Sequence, residues 1–129
     1  MIAVDTSVWI AFFRGRDRRT AERHRELLDA DAVALPAPVR VEILSGASRA
    51  DFPRLRRLLG ALPIAYPTAA TWSRIDAWLE VATARGERFG FADLLIASLA
   101  AERGWPLWSL DGDFDRMARL GWVELHAPP

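Results

Sequence analysis

The 129-residue chain lacks cysteine, lysine, asparagine and glutamine altogether. The missing cysteine excludes disulfides, thiol nucleophiles and thiolate zinc sites; the missing lysine excludes a Walker-A phosphate loop and Schiff-base catalysis. Only two histidines occur: His24 stands between Arg23 and Arg25 and His126 lies near the end, so neither suits a general base. Long apolar runs are absent as well. Nothing approaches the ~18–20 residues of a membrane span, and the first five residues lack the basic start and apolar stretch of a signal peptide, so a cytoplasmic protein is expected. Excess charge of either sign is also missing. All 17 basic residues are arginine, they are matched by 17 acids, and the formal net charge is zero, unlike proteins that coat nucleic acid non-specifically.

What is present suits one folded unit. Hydrophobic residues make up 51% and the mean hydropathy is +0.03, enough apolar surface for a core at this length, so a single domain over residues 1–129 is expected. Residues 2–4 form a short apolar run ending at Asp5, and Thr6 and Ser7 are good caps for a helix carrying Val8 to Phe13. A polar helix follows, from Asp17 or Thr20 to Ala30, then a buried strand at 33–35 stopped by Pro36. Pro38 opens a helix with Val39, Ile43 and Ala47 on one face, and Asp51 is expected to cap a basic helix. A short extended piece lies between Pro63 and Pro67. Trp72, Ile75, Leu79 and Ala82 make the apolar stripe of a long helix that ends at Gly86. The helix from Phe91 to Gly104 is apolar nearly all round and should be central. Strands at 106–110 and 122–125 flank a short last helix ending at Leu120. Strands separated by helices predict an α/β fold, a three-layer α/β/α sandwich with a mostly parallel central sheet.

In an open parallel sheet, ligands bind beyond the carboxyl ends of the strands. Asp5 ends the first strand, Asp111 ends the fourth, Asp93 starts the apolar helix before it, and Glu42 follows the second strand. Each has an ordinary explanation as a cap, dipole partner, turn former or solvated edge residue. Together they call for more, because Asp93 is the only charge between residues 91 and 101 and a buried carboxylate needs a counter-charge. Without lysine that counter-charge is an arginine, a shared proton or a cation. Oxygen-only ligands favour Mg²⁺ or Mn²⁺, one ion or two, suited to phosphodiester displacement. The run Asp111-Gly112-Asp113-Phe114-Asp115 is not an EF-hand loop, since Arg116 and Trp122 occupy the positions of its glycine and glutamate. Asp113 is either the cap of the following helix or an accessory metal acid.

The ordered set Val4-Asp5-Thr6-Ser7, Val41-Glu42, Asp93-Leu94-Leu95-Ile96-Ala97 and Ser109-Leu110-Asp111-Gly112-Asp113-Phe114 resembles PIN-domain ribonucleases, specifically the VapC-type toxins of toxin–antitoxin modules. The resemblance runs along essentially the whole chain. It implies a Rossmann-like sandwich, Mg²⁺- or Mn²⁺-dependent RNA cleavage, a homodimer, and a cognate VapB-like antitoxin that holds the toxin inactive. Carried over, Asp5, Glu42, Asp93 and Asp111 match the acidic quartet, Asp113 the acid before the family's phenylalanine, and Thr6 or Ser7 the supporting hydroxyl. Ser109 stands where threonine is more usual in the family and keeps the hydroxyl.

Arginines concentrate at residues 14–25, where six face two acids, and at 49–57, where four face one. Arg14, Arg16 and, beside the loop before Asp93, Arg88 are candidates to grip RNA phosphates; solvated helix faces are the alternative. The six tryptophans are expected mainly in the core, Trp72, Trp108 and Trp122 included, rather than as base-stacking platforms. Other functions remain in view: a housekeeping PIN nuclease without an antitoxin, or a non-catalytic RNA- or protein-binding domain. A receiver-like or haloacid-dehalogenase-like phosphotransfer site would require the lysine this chain lacks.

Overall fold

Short strands alternate with helices in the order β1 (Ile2–Val4), α1 (Thr6–Arg14), α2 (Arg18–Asp29), β2 (Val33–Pro36), α3 (Ala37–Ser45), α4 (Phe52–Gly60), β3 (Ile64–Ala65), α5 (Ala69–Ala84), α6 (Phe91–Arg103), β4 (Leu107–Trp108) and α7 (Asp113–Arg119). This computed structural model describes residues 1–15 and 17–127; Arg16, one of the candidate phosphate-binding arginines, lies outside the described residues. The four strands form one parallel sheet in the order β3-β2-β1-β4. The chain steps from β1 through β2 to β3, then crosses back to place β4 on the other side of β1. Right-handed crossovers put the α5–α6 connection on the face opposite the two earlier ones, which gives the three layers expected. The reversal of direction makes the β1–β4 border the switch point of the sheet.

The sheet is covered on both faces, so its strands are apolar throughout. Every residue of β2 is buried, as are Ala3, Val4, Leu107 and Trp108. Helix α6 runs beneath as the sequence predicts: Leu94 to Ala100 are all buried, and Gly104, with a left-handed φ of 66°, closes the helix.

Several boundaries differ from expectation, each for a visible reason. β4 ends at Trp108 rather than continuing to 110 because the next N–H groups leave the ladder for side-chain oxygens: Leu110 N–H donates to Ser7 Oγ (3.0 Å) and Asp111 N–H to Ser109 Oγ (2.9 Å). The expected strand at 122–125 contracts to a single parallel bridge between Leu107 and Leu125. Asp51 precedes α4 without a side-chain capping bond and pairs with Arg54 instead (3.4 Å). The buried face of α5 is also rotated from the expected stripe. Thr71, Ile75 and Ala82 point inward while Trp72 and Leu79 are exposed. Thr71 Oγ1 accepts the Thr68 N–H (2.9 Å) in a capping box, which fixes residue 71 inward and turns Trp72 out, against Phe91. Trp122 is half-buried and stacks face to face on Trp78, ring centroids 4.6 Å apart.

Trp9 and His24 fill the space between α1, α2 and β4. Both are fully buried, with centroids 4.2 Å apart, and Phe12 lies 4.5 Å from the imidazole. Among the described residues neither nitrogen of His24 has a hydrogen-bond partner, and burial pushes its pKa down to about 4. Between that value and the ordinary 6.5 the unfolded chain binds more protons than the folded one, so this residue's contribution is lost as pH falls through the window. Urea unfolding at roughly pH 7.5 and 5 tests this: His24→Phe should reduce the loss of stability on acidification by on the order of 2 kcal/mol. An unchanged pH dependence in the variant would contradict it.

Candidate metal centre

The crevice outside the carboxyl ends of β1 and β4 is organised by Asp5. Its backbone N–H continues the ladder to Trp108 C=O (2.9 Å), and its residue is the N-cap of α1. The carboxylate is buried, and Oδ2 accepts from Ser7 Oγ (2.7 Å), Ser109 Oγ (2.8 Å) and Ser7 N–H (3.4 Å). Each serine hydroxyl commits its one proton to Asp5, so the 3.3 Å approach of the two hydroxyls to each other is a contact and not a further bond. Among the described residues Oδ1 of Asp5 accepts from no protein donor.

The hydroxyls use their lone pairs to steer the segment after β4. With Leu110 and Asp111 N–H groups held as above, Asp111 Oδ1 accepts the N–H of Asp113 (3.0 Å). Asp111 thereby serves the start of α7, so Asp113 is its first residue and not its cap, which settles against one of the two sequence readings. Asp113 Oδ1 in turn receives Arg116 Nη2 at 3.0 Å.

Asp93 enters from the first turn of α6. Asp93, Asp111 and Asp113 each offer a carboxylate oxygen, and these three atoms lie within 4.8 Å of one another. Among the described residues no donor or arginine is paired with Asp93. Burial first, then the charges of Asp111, Asp5, Asp113 and Glu42, push its pKa up to about 6. Crowded carboxylates of this kind, with oxygen donors and no histidine or cysteine among them, fit a hard divalent cation.

The other predicted residues fall around this group. Asp5 and Glu42 lie outside the three-carboxylate cluster but close enough for their charges to act on Asp93. Glu42 is exposed on α3, and Thr6 Oγ1 donates to its Oε1 at 2.8 Å, so Thr6 and Ser7 serve two different acids. Arg14 and Glu42 line a cleft of about 500 Å³ between α1, α3 and α4, with Phe12, Phe13, Ile43 and Arg54. Arg88 is exposed; its backbone C=O accepts from Arg116 (3.1 Å). Arg116 itself escaped the sequence reading, although its position three residues after Asp113 on a helix was the available signal.

The raised pKa of Asp93 has a stability consequence. Between 3.8 and about 6 the folded chain binds the proton that the unfolded chain has lost, so the metal-free protein is destabilised as pH rises through that window. At neutral pH with EDTA, Asp93→Asn should therefore be more stable than the unaltered protein by roughly 1–2 kcal/mol after solvent screening, and so unfold at a higher temperature. Added Mg²⁺ or Mn²⁺ should stabilise the unaltered protein, less at pH 5 than at neutral pH, and leave the variant unmoved. Thermal unfolding measures all of these; equal cation responses in both proteins would refute the assignment.

Comparison with known proteins matches residues 2–120 to the family described as PIN domain. Ribonuclease VapC11 of Mycobacterium tuberculosis is 37% identical over 125 residues, 93% of either chain. In fold, the chain is similar to structures of VapBC2 from Rickettsia felis (TM-score 0.75, 18% identity, 100% of both chains) and VapBC-1 from nontypeable Haemophilus influenzae (0.76, 19%, 98% and 97%). With an acid-lined switch point, a family match over nearly its full length and a relative at this identity, the chain belongs to the PIN-domain family and, within it, to the VapC ribonucleases.

Proposed function

We propose that residues 1–129 work as one unit, an endoribonuclease that hydrolyses RNA phosphodiester bonds with Mg²⁺ or Mn²⁺ and acts as the toxin of a toxin–antitoxin pair. The observation that carries this reading is the group of three carboxylates within 4.8 Å, one of them unpaired, in a chain similar to VapC ribonucleases. A divalent cation bound there supplies stabilisation of charge on phosphoryl oxygens and acidifies water. Asp93, Asp111 and Asp113 would hold it, and Asp5, just outside that group with its Oδ2 fixed by the two serines, would add its charge. Thr6 holds Oε1 of Glu42, and Oε2 has no hydrogen-bond partner among the described residues. Arg14, on the cleft shared with Glu42, approaches the phosphate backbone of the RNA.

Partners follow from the same reading. The fold is similar to structures of VapBC and of a toxin–antitoxin complex from Klebsiella pneumoniae, which supports a VapB-like antitoxin. The cleft of α1, α3 and α4 combines apolar walls with Arg14 and Arg54 and is the surface available to it. Val41 and Phe91, 59% and 70% exposed, provide an apolar face that homodimerisation would cover. No helix among the described residues is long and apolar enough to cross a membrane, which agrees with action in the cytoplasm.

Induced expression of the unaltered protein beside Asp93→Asn, with mapping of RNA 5′ ends, tests the reading. Growth arrest and new cleavage ends are expected only with the unaltered protein. Purified, it should lose cleavage in EDTA, and Asp93→Asn should fall by about 100-fold or more. Full cleavage in EDTA or by the variant would overturn the assignment.

A further inference from the structure

Arg116 differs from the other arginine–acid pairs on neighbouring helical turns in what else it touches and not in burial, since Arg23, paired with Glu26, is 28% exposed against 31% for Arg116. Arg18–Glu22 and Arg54–Asp51 are exposed side chains pairing along one helix, the kind of contact that contributes little. Arg116 is half-buried and reaches off its helix. Its Nη2 is shared between Asp113 Oδ1 (3.0 Å) and the C=O of Arg88 (3.1 Å), and its guanidinium carbon lies 4.4 Å from the centroid of the Phe89 ring. Phe89 packs edge-on against Trp122 (5.4 Å), and Trp122 stacks on Trp78 of α5. The guanidinium therefore rests on a fixed aromatic base and joins α7, which begins with Asp113, to the segment that leads into α6 and Asp93.

We propose that Arg116 is a positioning residue of the metal centre, holding Asp113 within ligand distance of Asp93 against the mutual repulsion of the carboxylates. This rests on the reading of the acid cluster as a divalent-cation site. Arg116 anchors Oδ1 of Asp113, while Oδ2 has no protein partner among the described residues, and it ties both ligand-bearing segments to one planar group. Lysine would keep the charge and could bond both oxygens from one nitrogen, but it lacks the planar group that stacks on the Phe89 ring. Removal of a nearby positive charge should by itself strengthen cation binding. A weakening therefore reports lost position and not lost charge.

Mn²⁺ titration calorimetry on the whole chain tests the proposal with the unaltered protein, Arg116→Met, Arg116→Lys, Asp113→Asn and the Asp113→Asn pairings with each Arg116 variant. Arg116→Met should weaken Mn²⁺ binding about tenfold, and Arg116→Lys should recover part of the loss. In the Asp113→Asn background either Arg116 change should add less than about twofold. Unfolding curves check that each protein is folded; if Arg116→Met is not, the Arg116→Lys pair completes the cycle. Binding as tight as or tighter than that of the unaltered protein, or an equal loss with and without Asp113, would overturn the positioning role while leaving the metal site standing. Absence of Mn²⁺ binding by the unaltered protein would overturn the metal reading and this proposal with it.

Discussion

The Oδ2 oxygen of Asp5 joins the β1–α1 junction to a segment 104 residues further along the chain. It lies where β1 ends, caps α1 through Ser7 N–H, and takes the hydroxyl proton of Ser109 just beyond β4. A buried carboxylate is tolerated only with such partners. Once the hydroxyls are committed, their lone pairs draw in Leu110 and Asp111 N–H groups and end β4. The sequence of bonds then continues through Asp111 to the Asp113 N–H, and through Asp113 to Arg116 and the Arg88 carbonyl. The direction of the segment carrying Asp111 and Asp113 is thus a consequence of how Asp5 is satisfied.

That arrangement places acids where they repel, so the site opposes the fold that holds it. Stability comes from elsewhere: α6, whose buried stretch touches the sheet and α3, and the Trp9–His24 cluster behind β1 and β4. His24 and Asp93 act in opposite senses as pH changes. Neutral His24 favours the folded chain at higher pH, whereas ionised Asp93 disfavours it until a cation supplies the counter-charge. Helix α6 links the two demands, because the rigid buried segment that contributes most to the core carries Asp93 in its first turn.

Much of this was legible in the residues. The parallel α/β architecture follows from apolar runs separated by amphipathic stretches, and the centrality of α6 from its near-uniform apolarity. The lone charge of Asp93 in that helix pointed to a counter-charge problem, and the structure pairs it with no arginine among the described residues. Periodicity did not reveal the rotation of α5, because Trp72 and Thr71 differ by one position and a capping box decided which faced inward. Nor did β propensity reveal the end of β4, which depends on hydroxyls from Ser7, about a hundred residues earlier. The grouping of Asp113 with Asp93 and Asp111, with Asp5 and Glu42 set further out, is a matter of side-chain direction after a turn, for which linear spacing holds no information.

Diffraction from crystals grown with Mn²⁺, using the anomalous signal of the metal, tests the central claim most directly. The account predicts an ion with carboxylate oxygens of Asp93, Asp111 and Asp113 at about 2.0–2.4 Å, with Ser7 and Ser109 still bonded to Asp5. A Mn²⁺ peak elsewhere, or none at this cluster, would contradict it.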